Sequence, residues 1–206
     1  MAGRLLILGA GAHGRAVADL AAECGWTIAG FTDGKPGPGV LGGDEDLATL
    51  AREEKIDGAV VGVGNIALGR RAELFSLIRA AGVAAPALVH PRAVVSRSSS
   101  IGDGAIVFPG GVIGAHVVVG ENAVVYSGTI IEHDGRIGSH AYLSPGVVLP
   151  GHVTIEAGAF VGAGAVLIPG VTVGKDAVVG AGALVLADVA AGVTVMGSPA
   201  RPKAVR

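Results

Sequence analysis

Two adjacent residues, His133 and Asp134, carry the clearest chemistry in the chain. They lie in VYSGTIIEHDGRIGSHAYLSPG (Val125 to Gly146), a stretch otherwise made of aliphatic, small and turn-forming residues. An imidazole titrates near physiological pH and an adjacent carboxylate stabilises its protonated form. The pair therefore suits a general base that takes a proton from an attacking amine or hydroxyl. On residue type alone, one histidine among six reads more readily as a solvated turn residue. Spacing adds neighbours: His116 and His152 lie eighteen residues either side of Asp134, and Gly151 lies eighteen after His133. A group of histidines raises metal binding, but with no further ligands in register no metal is expected.

A second candidate is GAGAHG (Gly9 to Gly14), which follows a strand signal, precedes a helix signal and has Asp33 about twenty residues on. It fits G-x-G-x-x-G, so a hydride-transferring NAD(P) oxidoreductase is one reading. A purely structural strand-to-helix turn is another. The α/β stretch spans only about 85 residues, half of a full dinucleotide domain, which favours a third: backbone N–H groups at a helix start binding a phosphate, with His13 adding a hydrogen bond.

The elements that must position these residues follow two different periods. In residues 1–85, RLLIL (Arg4 to Leu8), TIAGF running on to Asp33 and GAVVGVG (Gly58 to Gly64) read as strands. AVADLAAECG (Ala16 to Gly25) and LGRRAELFSLIRAAG (Leu68 to Gly82) read as helices ending at glycines. Alternating strands and helices imply a small parallel sheet. From Ile101 every sixth position through Val185 is Ile, Val or Leu, and each of the first fourteen is followed four residues later by Ala, Gly, Val or Thr. That repeat predicts a parallel β-helix of short stacked strands in residues 86–206. Five coils of eighteen residues fit between Ile101 and about Met196, with VHPRAVVSRSSS as an entry coil and GSPARPKAVR as a tail.

Composition agrees. Of 206 residues 50% are hydrophobic but only 3% aromatic, and 36 are glycine, so the core is built from small aliphatics between tight turns. A formal charge of −2 gives no electrostatic case for nucleic acid or an anionic membrane. Mean hydropathy is +0.63, yet no apolar run approaches the roughly 20 residues that span a bilayer, so no membrane insertion is expected. The lone Cys24 excludes an intramolecular disulfide, and MAGRLLILGAGAHG has no signal-peptide pattern; a cytoplasmic protein is expected.

Taken in order, GAGAHG, FTDGKPG, VGVGN, LVHPRAVVS, IIEHDGRIG and GSPARP resemble the NeuD/PglD-type sugar acyltransferases over nearly the whole chain. The resemblance implies a Rossmann-like sugar-nucleotide domain (1–85), a left-handed β-helix with a tail (86–206), and acetyl-CoA as co-substrate bound between subunits of a homotrimer. It makes His133 the base, Asp134 the group that raises its basicity, and Gly151 a backbone N–H donor to the thioester oxyanion. Tyr142, Ala163 and Ala181 fall at coenzyme positions, Tyr142 where the family often has histidine. Gly11, His13, Gly14, Asp33, Gly34, Gly64 and Asn65, with Lys35, fall at the sugar-nucleotide site, and Tyr126 stands where a polar amide often meets the sugar. The expected reaction is N-acetylation of a nucleotide-linked amino sugar, a 4-amino-4,6-dideoxy sugar for surface glycans. The alternatives are sialic acid-type O-acetylation, the oxidoreductase, and a non-catalytic β-helix scaffold.

One further expectation is independent of the resemblance. Val118, Val124, Val148, Phe160, Val166, Val178 and Leu184 recur beside the aliphatic column and cannot share it, since side chains alternate along a strand. An outer apolar stripe of that length calls for a partner, and a three-sided prism suits threefold closure.

Overall fold

RLLIL and GAVV hold no polar side chain after Arg4, as parallel strands covered on both faces require. They become β1 (Arg4–Leu8) and β4 (Gly58–Val61) of a four-stranded parallel sheet completed by β2 (Thr27–Thr32) and β3 (Val40–Gly42), in the order β3-β2-β1-β4. Leu5, Leu6, Ile7 and Leu8 are fully buried. In this computed structural model, which describes residues 3–64 and 68–203, the chain divides into two compact units, Met1–Pro91 and Arg92–Arg206.

In the first unit α1 runs over Ala12–Glu23, four residues earlier than the apolar spacing predicts, because the second half of GAGAHG is already helical. Gly14 permits this: a Cβ there would collide with the Gly9 carbonyl, so the helix meets the strand only through glycine. The helix ends as read, with Gly25 in the left-handed region (φ 86°) and Trp26 N–H donating to Ala21 O at 3.0 Å. β3 and the seven-residue α2 (Leu47–Glu53) escape sequence reading because two turns with only Leu47 and Leu50 buried show no period. α3 covers Leu68–Ala80, and its Leu74, Phe75 and Ile78 pack with Leu6, Leu8 and Val61.

The second unit is the expected parallel β-helix. Its two-residue strands stack in three faces, each strand pairing with those eighteen residues away. The first face holds Ser100–Ile101, Val118–Val119, Arg136–Ile137, Thr154–Ile155 and Thr172–Val173. The second holds Ile106–Val107, Val124–Val125, Tyr142–Leu143, Phe160–Val161, Val178–Val179 and Thr194–Met196. The third holds Val94–Val95, Val112–Ile113, Ile130–Ile131, Val148–Leu149, Val166–Leu167 and Leu184–Val185. The predicted column from Val107 to Val185 is at most 2% exposed, and the small residues four positions on are buried beneath it. The last coil is two residues short: Val179 pairs with Val195 and Val173 bridges to Val189.

The outer apolar stripe differs from expectation. Positions six apart lie on successive faces, so the seven residues read as one stripe are spread over all three. Val118 is on the first face, Val124, Phe160 and Val178 on the second, and Val148, Val166 and Leu184 on the third; Val124 is fully buried. Only residues eighteen apart share a face. By that rule the continuous stripe is Val94, Val112, Ile130, Val148, Val166 and Leu184, in register on the third face, with Val94 64% and Val166 38% exposed.

Candidate active site

The four-residue corners that lead from the third face to the first have a left-handed residue at their third position in four successive coils: His116 (φ 59°), Asp134 (59°), His152 (61°) and Gly170 (76°). Asp and His tolerate that region better than most side-chain-bearing residues, which is a structural reason for finding them here. In its corner the Asp134 carboxylate turns back on the preceding ring, with Oδ2 2.9 Å from His133 Nδ1. Against an ionised carboxylate Nδ1 carries the ring proton, leaving the lone pair on Nε2. Both side chains reach solvent, His133 56% and Asp134 43% exposed. The hydrogen bond from His133 holds the Asp134 carboxyl below its usual range, opposed by a little desolvation and helped by the charges of His152, His133 and His116.

The coil above makes room for this ring. A Cβ on buried Gly151 would stand 2.5 Å from Cε1 and 2.6 Å from Nε2 of His133. His152 N–H donates to the His133 carbonyl at 3.0 Å, tying the two corners together. The His152 ring meets that of His133 edge-on, 5.2 Å between centroids, with its Nε2 3.9 Å from Asp134 Oδ2. Ligand-type atoms of His133, Asp134 and His152 all lie within 4.8 Å of one another.

The other coenzyme and sugar candidates stand elsewhere on the prism. Tyr126, Ala163 and Ala181 occupy the four-residue corner between the second and third faces, whose third position is a left-handed glycine in every coil from Gly110 to Gly182. Tyr142 lies on the second face, buried between Val124 and Phe160, in an aromatic ladder with Phe108, Tyr126 and Phe160. The His133 corner and the Ala163/Ala181 corner are thus brought not to one point but to the two edges of the aliphatic third face.

In the first unit a cleft of about 290 Å3 is lined by Gly11, Asp33 and Lys35 together with Arg15, Phe31 and Pro38. Asp33 braces its rim: Oδ2 accepts from Ala10 N–H and Oδ1 from Lys35 N–H, both at 3.0 Å. Gly34 is an exposed turn residue beside it. His13, Gly14 and Gly64 stand outside this lining. Gly14 serves the helix–strand contact, and Gly64 packs over the Cβ of His13. Burial and the nearby Arg71 charge push His13 down to about 3, so it stays neutral at pH 7. Asn65 lies outside the described residues.

Known proteins match both units. The PglD N-terminal domain model covers residues 4–75, and the bacterial transferase hexapeptide model covers residues 152–187. PerB from Caulobacter crescentus, solved with CoA and GDP-perosamine, is 36% identical over 98% of each chain, with a TM-score of 0.93. The chain belongs to the NeuD/PglD-type hexapeptide-repeat sugar acyltransferases. Two further family structures are similar. The acetyltransferase domain of PglB from Neisseria gonorrhoeae, with acetyl coenzyme A, is 33% identical over 98% of this chain and 100% of that one, TM-score 0.91. WeeI from Acinetobacter baumannii is 27% identical over 98% and 100%, TM-score 0.85. A search of the curated proteins finds no match. Among the described residues no helix is long and apolar enough to cross a membrane.

Against this family frame, sequence reading passed over three features. Arg15, one residue beyond the glycine motif, places a guanidinium at the cleft with its Nη1 on Ala10 O at 3.1 Å. Arg71, a charged residue in an amphipathic helix pattern, is instead fully buried, donating to the Val63 carbonyl at 2.5 Å. The close approach of His152 to Asp134 was legible only as a shared corner, since the eighteen-residue spacing gives the column but not the rotamer.

Proposed function

We propose that the protein is an acetyl-CoA-dependent N-acetyltransferase that acts on a nucleotide-linked 4-amino-4,6-dideoxy sugar, with His133 as general base. The observation that carries this reading is the 2.9 Å contact between His133 Nδ1 and Asp134 Oδ2, in a corner cleared by Gly151 so that Nε2 stands open. As the sugar amine attacks the thioester carbonyl, Nε2 takes the amine proton and Asp134 stabilises the imidazolium that forms. The Gly151 N–H faces the developing oxyanion, and coenzyme A leaves as the thiol. The nucleotide is held in the first unit: its phosphates meet the start of α1, Arg15 and Lys35, and Phe31 and Pro38 supply apolar contact.

The coenzyme lies along the third face. Its aliphatic stripe covers six strands, about 24 Å at the usual strand spacing, and has the His133 corner on one edge and the Ala163 and Ala181 corner on the other. Threefold packing over this stripe buries it and sets one subunit's base beside its neighbour's coenzyme corner. Tyr142, buried within its own chain, then contributes by shaping the aromatic ladder. The perosamine-bound relative supports an amine acceptor of this class.

The test is a panel of nucleotide-linked sugars, varied in base, amine position and 6-deoxygenation, assayed for thiol release with acetyl-CoA. The reading expects selective transfer to a 4-amino-4,6-dideoxy sugar. Acetylation of a hydroxyl acceptor alone would replace it with O-transfer.

A further inference from the structure

We propose that His133, Asp134 and His152 form a site for a divalent transition-metal ion, such as Zn2+ or Ni2+, and that occupancy of this site silences the base. The silencing rests on the reading of His133 as that base; the site itself does not. Two imidazoles and a carboxylate are a donor set suited to such ions. Their ligand-type atoms already lie within 4.8 Å of one another, with pairs at 2.9 Å and 3.9 Å. Metal–ligand bonds of about 2.0–2.2 Å place tetrahedral neighbours about 3.4 Å apart, so small side-chain rotations close the set. The frame beneath is fixed: His133 and Asp134 are adjacent, and His152 N–H bonds the His133 carbonyl at 3.0 Å. All three side chains reach solvent, which supplies the remaining ligand and the route of entry.

Coordination removes the base by either nitrogen of His133. An ion on Nε2 occupies the lone pair that would take the amine proton. An ion on Nδ1 takes the other neutral tautomer, in which the ring's single proton has moved from Nδ1 to Nε2, so Nε2 becomes a donor and no longer a base. His152 has no part in the proton transfer itself, since its Nε2 is beyond hydrogen-bond reach of Asp134. Its effect is to turn a catalytic pair into a three-ligand site.

The experiment titrates Ni2+ or Zn2+ into the intact enzyme by calorimetry and follows acetylated sugar nucleotide by mass spectrometry, a readout that thiol–metal binding does not disturb. His152→Asn keeps a residue that tolerates the left-handed corner. Wild type should bind one ion per chain and lose turnover by about tenfold or more as the site fills, with recovery on adding a chelator. The variant should turn over within a few-fold of wild type without metal, bind the ion at least about tenfold more weakly, as even outer-shell losses do, and resist inhibition. Equal binding by wild type and variant, or no binding by either, would overturn the site while leaving the role of His133 untouched. Binding that depends on His152 but leaves turnover unchanged would overturn the silencing.

Discussion

Replacing Gly151 by alanine adds one methyl group and should remove most of the activity. The added Cβ would stand 2.5 Å from Cε1, 2.6 Å from Nε2 and 3.1 Å from Nδ1 of His133, against an ordinary carbon contact of about 3.5–4.0 Å. The ring must therefore move by about 1 Å. Because Nδ1 is held by Asp134 at 2.9 Å, moving the ring strains the contact that orients Nε2. A displacement of that size costs about 10²-fold in rate, close to the low end of what a general base contributes. That corresponds to about 2.7 kcal/mol of transition-state stabilisation. The fold should survive: Gly151 is not in the left-handed region, and the group that must yield is the solvent-exposed end of a side chain. The assay pairs kcat at saturating acetyl-CoA with thermal unfolding. The expected result is a loss of about 10² with Tm within about 2 °C of wild type. A Gly151→Ala enzyme within a few-fold of wild type would refute the view that this glycine sets the base's position.

Three further outcomes are expected. Asp134→Asn should cost less than loss of the base itself, since His133 stays in place and only the carboxylate that stabilises the imidazolium formed during transfer is gone. In wild type the stability tied to Asp134 is present above the ordinary carboxylate range and lost as pH falls through its lowered value; Tm against pH should show that loss in wild type but not in the variant. His13, pushed down to about 3, acts in the same direction over a higher pH range. Below about 6.5 the unfolded chain takes up a proton that the fold refuses, so stability falls toward acid by at most about 1.4 kcal/mol per pH unit, and His13→Gln should flatten that slope in denaturant titrations. Val166→Asp sets a charge into the exposed aliphatic face; sedimentation equilibrium should show trimer giving way to monomer and activity should vanish with it, whereas a fully active monomer would remove the composite site.

The solenoid was legible because its constraint is local and repeated: each coil must put an aliphatic residue inward, and the column from Val107 to Val185 is buried as read. The corner was legible for the same reason, since a fixed coil length stacks Gly151 and His152 over His133 and Asp134 whatever the side chains do. What did not follow from a six-residue period was which outer residues share a face, because that depends on the eighteen-residue turn; Val124 and Val166, both in the expected stripe, lie on different faces, one buried and one exposed. In the first unit the glycine motif gave the strand-to-helix turn, yet Gly14 meets the Gly9 carbonyl and His13 is buried near Arg71. A glycine fingerprint does not separate a residue that approaches a ligand from one that approaches its own backbone.

The most direct test of the central claim is kcat for His133→Ala beside its affinity for coenzyme A by calorimetry. General-base loss predicts a fall of about 10² or more in kcat, with coenzyme affinity within a few-fold of wild type. Turnover within a few-fold of wild type would contradict the account and remove His133 from the mechanism.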